Sequence, residues 1–219
     1  MNKIERITAR TCPVDHLLFG TDQLDRGIAW IEDKTGVRPA VGGSHPGIGT
    51  CNALLSLGGR QYLEIIAPDP DQESYQFHID LRIRSVPRLV TWAALATDID
   101  WLADQAQKTG FQTLGPRAGS RRRPDGAILK WRTLGVVNSF GSEEVEPVPF
   151  FIEWSPDSPH PSQDSPFGCR LESLEIHHPR ALEVAKLFAA LDLGAQVATA
   201  SEARIVATLH TPQGRLQLG

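Results

Sequence analysis

At 219 residues the chain has room for one large domain or two small ones, at roughly 100 to 200 residues per domain. Hydrophobic residues at 41%, charged residues at 22% and a mean hydropathy of −0.22 describe a soluble globular protein and exclude a disordered or membrane-embedded one. Acidic residues outnumber basic ones 26 to 22, a net charge of −4, which disfavours a general nucleic-acid binder because phosphate contacts need a clustered basic surface.

Cys12, Cys51 and Cys169 are odd in number, far apart and outside any C-x-x-C spacing, so neither a disulfide framework nor a thiolate zinc site is expected. The first residues lack the apolar core of a signal peptide, and no run approaches a membrane span. The expectation is a cytoplasmic protein that is neither exported nor inserted.

In chain order, the first periodic element is the strand-like run Val14 to Phe19, closed by Gly20-Thr21-Asp22. A helix should follow, capped by Asp22 or Thr21, with Leu24, Ile28 and Ile31 on one face and Gly36 as its left-handed C-terminal residue. Beyond the turn-rich stretch Gly42 to Gly49, the runs Ala53–Leu57 and Gln61–Ala67 flank Gly58-Gly59 and read as a hairpin.

The same order recurs. Thr21-Asp22 returns as Thr97-Asp98 and Gly43-Ser44 as Gly119-Ser120, both 76 residues on, while Lys34-Thr35-Gly36 returns as Lys108-Thr109-Gly110 at 74. Tyr62-Leu63-Glu64 before Pro68-Asp69 is echoed by Phe151-Ile152-Glu153 before Pro156-Asp157. Four matches in one order make a duplication of a βαβββ unit. Six prolines between Pro147 and Pro166, with serines among them, mark a linker. Leu171 to Leu218 then reads as strand, helix and two or three strands, a third, truncated copy. Its uncovered face should pack on the first two copies or on a second chain, which makes a homodimer the expected assembly. The fold class is α+β, with modules at 13–69 and 88–155 inside a domain of residues 1–155, a linker at 156–168 and the short module at 169–219.

Strand alternation places His16, Glu64 and Glu153 among apolar or aromatic neighbours on their own faces, so these side chains point inward. An ionised carboxylate there has to be paired or bound to metal. One His and two Glu from three strands suit a facial metal site; a buried His–Glu hydrogen bond, or a Glu paired with an arginine, is the plainer alternative. The repeat puts Trp92 where a fourth ligand would mirror His16, leaving open positions of the kind Lewis-acid chemistry uses. In the loop Gly43 to Gly47, His45 is a candidate anion-binding group or general base. The matching loop carries Arg121, Arg122 and Arg123, a solvated face or a receiver of a carboxylate or phosphate. Trp92 and Trp131 are candidate aromatic walls, and the pair His177-His178 reads as surface. No Gly-rich phosphate loop, G-x-S-x-G elbow or H-E-x-x-H motif is present.

With a duplicated βαβββ unit, Asp15-His16-Leu17, the run Gly43 to Leu55 with Asn52, Tyr62 to Asp69, Arg123 to Gly126 and Pro149 to Trp154, the chain resembles the glyoxalase-like domain proteins of the vicinal oxygen chelate superfamily. The resemblance spans about residues 14 to 155. It implies two modules forming an incomplete barrel around a divalent metal, with His16, Glu64, Trp92 and Glu153 at the four ligand positions. Trp92 departs from the glyoxalase pattern, leaving His16, Glu64 and Glu153 as ligands of a manganese, iron, zinc, nickel or magnesium ion. It further implies a small substrate with adjacent oxygens, with His45 or Arg123 assisting as catalytic residues and Tyr62, Trp92, Phe151 and Trp131 lining the substrate. The activity would be of the lyase, isomerase or dioxygenase type, and the alternative is a metal-free binder like the drug-sequestering branch. Neither nucleic acid nor membrane is an expected partner.

Overall fold

The computed structural model describes residues 12–123 and 125–219, and the statements below concern these residues. The first module runs β1 (Val14–Gly20), α1 (Leu24–Thr35), β2 (Ala40–His45), β3 (Thr50–Ser56) and β4 (Tyr62–Pro68). The second repeats it as β5 (Arg88–Leu95), α2 (Ile99–Lys108), β6 (Thr113–Arg122), β7 (Ile128–Val136) and β8 (Phe150–Trp154). Together they form one eight-stranded sheet in the order β2-β3-β4-β1-β5-β8-β7-β6, each module contributing four adjacent strands. The sheet curls until its two edges meet, where the Arg121 guanidinium on β6 donates to the Gly42 carbonyl on β2.

Local chemistry explains most boundaries. Gly36 ends α1 at φ 76°, its N–H returning to the Glu32 carbonyl, as a left-handed C-terminal glycine does. The start of α1 differs from the expected cap: Asp22 is drawn into an ion pair with Arg26, and Gln23 takes the cap position without a side-chain bond. In the second module Asp98 does cap α2, accepting from the Trp101 N–H.

Residues 169–219 hold a complete set of elements: β9 (Arg170–His178), α3 (Ala181–Ala190), β10 (Gln196–Thr199), β11 (Arg204–Thr211) and β12 (Gly214–Leu218). Their pairing is different. Here the first strand, β9, lies between β10 and β11, whereas β1 pairs with the last strand of its module. The short module therefore keeps the element order of the repeat but not its sheet.

Each face of the large sheet has its own apolar layer. One face carries Leu17, Phe19, Leu63, Ile65, Trp92 and Phe151 and packs against the helices and the small sheet, including Ile28, Leu102, Ile176, Phe188 and Leu209. Burial of Trp92 and Phe188 against each other ties the third module onto the first two, the rings lying 6.0 Å apart. The face of the short module is thus covered within the chain, so its packing does not require a second one. The opposite, inner face carries Leu18, Ile66, Val90 and Phe150, closed below by Ile79 and Leu81 from the connector between modules.

Residues 155–168 are no free linker. Ser158, His160, Ser162 and Ser165 are buried, the Ser56 N–H donates to the Pro166 carbonyl, and a short 3-10 turn at Pro161–Gln163 lies against β3. Proline fixes the backbone and the buried polar side chains hold it, so this stretch forms a strap across the inner face.

Candidate functional site

A register irregularity in the β1–β5 pairing between Val14 and His16 frees Asp15 from strict alternation. Asp15 and His16 then bond directly, Oδ1 to Nδ1 at 2.7 Å. The other Asp15 oxygen accepts from Trp154 Nε1 at 3.2 Å and meets His160 Nε2, from the strap, at 3.1 Å. Asp15 is fully buried. Burial works to raise its pKa, but the hydrogen bonds and charges of His16 and His160 outweigh it and bring the carboxyl to about 2. An ionised carboxylate only accepts, so His16 carries its proton on Nδ1, and His160 on Nε2 while its Nδ1 accepts from the Ser162 N–H. His16 therefore turns its unprotonated Nε2 toward Glu64.

That nitrogen lies 3.5 Å from Oε2 of Glu64 on β4. Oε1 of the same carboxylate accepts from Asn52 Nδ2 at 2.7 Å and lies 3.6 Å from His45 Nε2. The two His–Glu separations are too long for good hydrogen bonds, so the imidazoles flank the carboxylate without being tied to it. His45 is held by Thr50 Oγ1 at 2.9 Å and by the Asn52 amide at 3.3 Å. Burial lowers its pKa against the opposing pull of Glu64, which keeps the ring neutral near pH 7.

Rings wall the cluster. Tyr62 stacks on His16 with centroids 4.5 Å apart, Phe150 meets the same ring edge-on at 5.6 Å, and Trp131 and Trp154 lie 5.5 Å from each other. Burial, followed by the charges of Glu64 and Asp15, raises the Tyr62 pKa well above 10. Arg121 is buried beside them, and its pKa is lowered by burial in spite of Glu64.

Of the expected site residues, His16, Glu64, His45, Tyr62 and Trp131 come together. Others do not. Glu153 shares the helix face with Phe151, where it accepts from the Ile99 N–H and pairs with Arg132 at 2.5 Å, so the Glu–arginine alternative is the one realised. Trp92 and Phe151 are fully buried in the helix-face core, the Trp92 indole donating to the Pro147 carbonyl. Phe150, one residue earlier, takes the inner-face place expected of Phe151. Arg123 sits at the outer rim, paired with Asp164 at 2.5 Å and Asp125 at 3.2 Å. His178 is buried rather than superficial, facing the Phe140 carbonyl at 3.1 Å.

The divalent ion implied by the resemblance would draw ligands from the positions of His16, Glu64, Trp92 and Glu153. Only the first two lie on the inner face, Trp92 and Glu153 being on the helix face, and the Asn52 amide already bridges Glu64 to His45. Among the described residues no group of three His, Cys, Asp or Glu is placed to hold a metal ion. The His16–Glu64–Glu153 set therefore does not fit a metal.

Three residues here went unnamed as functional candidates. Asp15 and Asn52 lie inside the stretches Asp15-His16-Leu17 and Gly43 to Leu55, and their contacts follow from a strand irregularity and a cross-strand contact that spacing does not reveal. His160 stood alone in a proline-rich stretch, with no sequence signal for its contact with Asp15.

Two βαβββ modules closing one curled sheet over a buried polar cluster define a paired-module half-barrel protein. The family model of the glyoxalase-like domain matches residues 14–191, and the chain belongs to that family, within the vicinal oxygen chelate superfamily. Among solved structures, a hypothetical protein from Staphylococcus aureus is 14% identical with a TM-score of 0.69, covering 94% of this chain and 98% of that one. A methylmalonyl-CoA epimerase from Mycobacterium tuberculosis is 18% identical with a TM-score of 0.47, covering 69% and 95%. A hypothetical protein from Bacillus halodurans is 13% identical with a TM-score of 0.46, covering 67% and 96%. No curated protein matches the chain. No helix among the described residues is long and apolar enough to cross a membrane.

Proposed function

We propose that this glyoxalase-like protein is an enzyme of the isomerase or lyase type that moves a proton at a carbon beside a carbonyl oxygen of a small substrate. The observation that carries the reading is the Glu64 carboxylate, buried, flanked by His16 Nε2 at 3.5 Å and His45 Nε2 at 3.6 Å, with His16 oriented from behind by Asp15. In this reading Glu64 takes the proton from carbon as the C–H bond breaks, and the electron pair moves onto the carbonyl oxygen. Arg121 offers that oxygen a fixed positive charge in a cavity shielded from water. Glu64 then passes that proton to the bare Nε2 of His16, which returns it to the substrate and leaves both groups as they began; the buried Asp15 carboxylate stabilises the imidazolium formed between the two transfers, as the carboxylate of a catalytic triad does. No step here is routed through a metal, since the ligand positions are split between two faces.

Deuterium wash-in from D2O tests this, followed by NMR on a panel of two- to five-carbon carbonyl compounds. Wash-in above the buffer rate for at least one compound, lost in Glu64→Gln, is the expected result; no wash-in, or wash-in untouched by Glu64→Gln, overturns it. A second reading, a protein that holds a small molecule without turning it over, is favoured by the ring wall of Tyr62, Trp131 and Trp154 around the cluster. Saturable binding without any wash-in would select it.

A further inference from the structure

Next to the Glu64 cluster a cavity of about 180 Å³ opens between β2, β3, β6, β7 and the strap, with Gly42, Leu54, Arg121 and Leu129 at its sides and Arg123 and Asp164 among its other lining residues. Leu54 is the cross-strand partner of Glu64, so the cavity adjoins the acid–base site. Its charge is unevenly met. Arg121 is 4% exposed, and its one hydrogen-bonded partner among the described residues is a neutral carbonyl, that of Gly42. Among the described residues no carboxylate lies within ion-pair distance of it, and Glu64 and Asp164 attract it only from farther off, too weakly to offset the hydration that burial removes. At the rim Arg123 holds two anions, the Asp164 carboxylate of the strap at 2.5 Å and, less closely, that of Asp125 at 3.2 Å. Asp164 is nearly half exposed, and a pair so exposed is weak and exchangeable.

The geometry points to a binding site for a small carboxylate, in which the ligand's carboxylate takes the place of Asp164 on Arg123 and places its negative charge within reach of the buried Arg121. The ligand chemistry is one that Arg123 already receives from the chain itself. Guanidinium forks match carboxylates in a planar, two-point fashion, which makes a carboxylate the natural exchange partner. The strap is then a competitor as well as a cover. His160 stays anchored on Asp15 while the Asp164 end lets go. This rests on the reading of the site as an enzyme's and names the substrate class it would take: a two- to four-carbon acid whose carboxylate lies at the arginines and whose reacting carbon lies toward Glu64.

The experiment is equilibrium binding by calorimetry, with glycolate, lactate, pyruvate and 2-hydroxybutyrate, each compared with its amide. The proteins are the parent, Asp164→Asn and Arg123→Gln, all checked for an unchanged melting temperature. Asp164→Asn is expected to bind at least one acid 5-fold or more tighter than the parent, because the closer of the two internal competitors for Arg123 is gone while Asp125 stays at 3.2 Å. Arg123→Gln is expected to lose at least 10-fold, and the amides not to bind. An affinity in Asp164→Asn within twofold of the parent, no saturable binding of any acid by that variant, amides binding as well as acids, or inorganic phosphate binding more tightly than every acid would each overturn it. Binding is read without turnover, so acid binding retained in Glu64→Gln together with an absence of wash-in in the parent would sink the enzyme reading and leave the carboxylate site standing.

Discussion

The two modules of the large sheet have the same five elements and opposite chemistry. On its inner face the first places Asp15, His16, Asn52 and Glu64, all buried; the second places Val90, Phe150, Trp131 and Trp154 there and turns its last-strand carboxylate, Glu153, outward to Arg132. A duplicated fold gives two equivalent frames, but the core of this polar cluster draws its convergent groups from only one. The second frame is then released to supply walls and, through Arg121, a charge. Its outward carboxylate still serves, closing the first turn of α2 by accepting from the Ile99 N–H.

The sharpest break of this comparison is a matched pair of substitutions. Glu64→Gln should lower the wash-in rate by about 10²- to 10⁴-fold, the usual range for a general acid or base, while Glu153→Gln leaves it within about threefold. Equal losses would mean that the second module shares the chemistry. Tryptophans give the converse test. Trp92→Ala, emptying the helix-face core, should cost about 3 to 5 kcal/mol in denaturant unfolding, whereas Trp131→Ala on the inner wall costs about 1 kcal/mol or less.

Acid separates the faces further. Asp15 has a folded pKa of about 2 against an ordinary 3.8, so it contributes stability that is present above pH 3.8 and lost as pH falls from there toward 2. That is about 2 kcal/mol at one pKa unit per 1.4 kcal/mol, and Asp15→Asn should remove it at neutral pH and flatten the acid limb of the unfolding curve. The smallest effect belongs to the outward pair: Glu153→Gln should cost about 1 kcal/mol, a loss that shrinks in high salt because Arg132 is exposed.

The inner-face cluster was legible in the first module because alternation along Val14 to Leu18 and Tyr62 to Ile66 assigns faces directly. In the second it was not. Aligning Phe151-Ile152-Glu153 with Tyr62-Leu63-Glu64 matches residue types but is one residue out of phase with the faces, since Phe150 pairs with Ala93 on β5 and Phe151 turns to the helices. A slip of one residue exchanges the two faces of a strand, so it converts a ligand position into a surface ion pair. The module count and the third set of elements were likewise readable from punctuation by glycine and proline, whereas the pairing of β9 between β10 and β11 depends on contacts across the small sheet. The strap was misread for a simpler reason: proline-rich composition describes a backbone without helices or strands, and burial of Ser162 and His160 is set by what lies beneath.

The contact between His160 and Asp15 joins residues 145 apart in the chain. Closing so long a loop is entropically unfavourable until the sheet strands on either side have found their partners. Asp15 and His16 can be in place as soon as β1 is, yet the carboxylate gains its third donor only when the chain has been completed past the second module. The site is for that reason assembled late, and a chain cut short before residue 160 would hold the Asp15–His16 pair and its ring walls without the His160 donor that completes the bonding of the carboxylate.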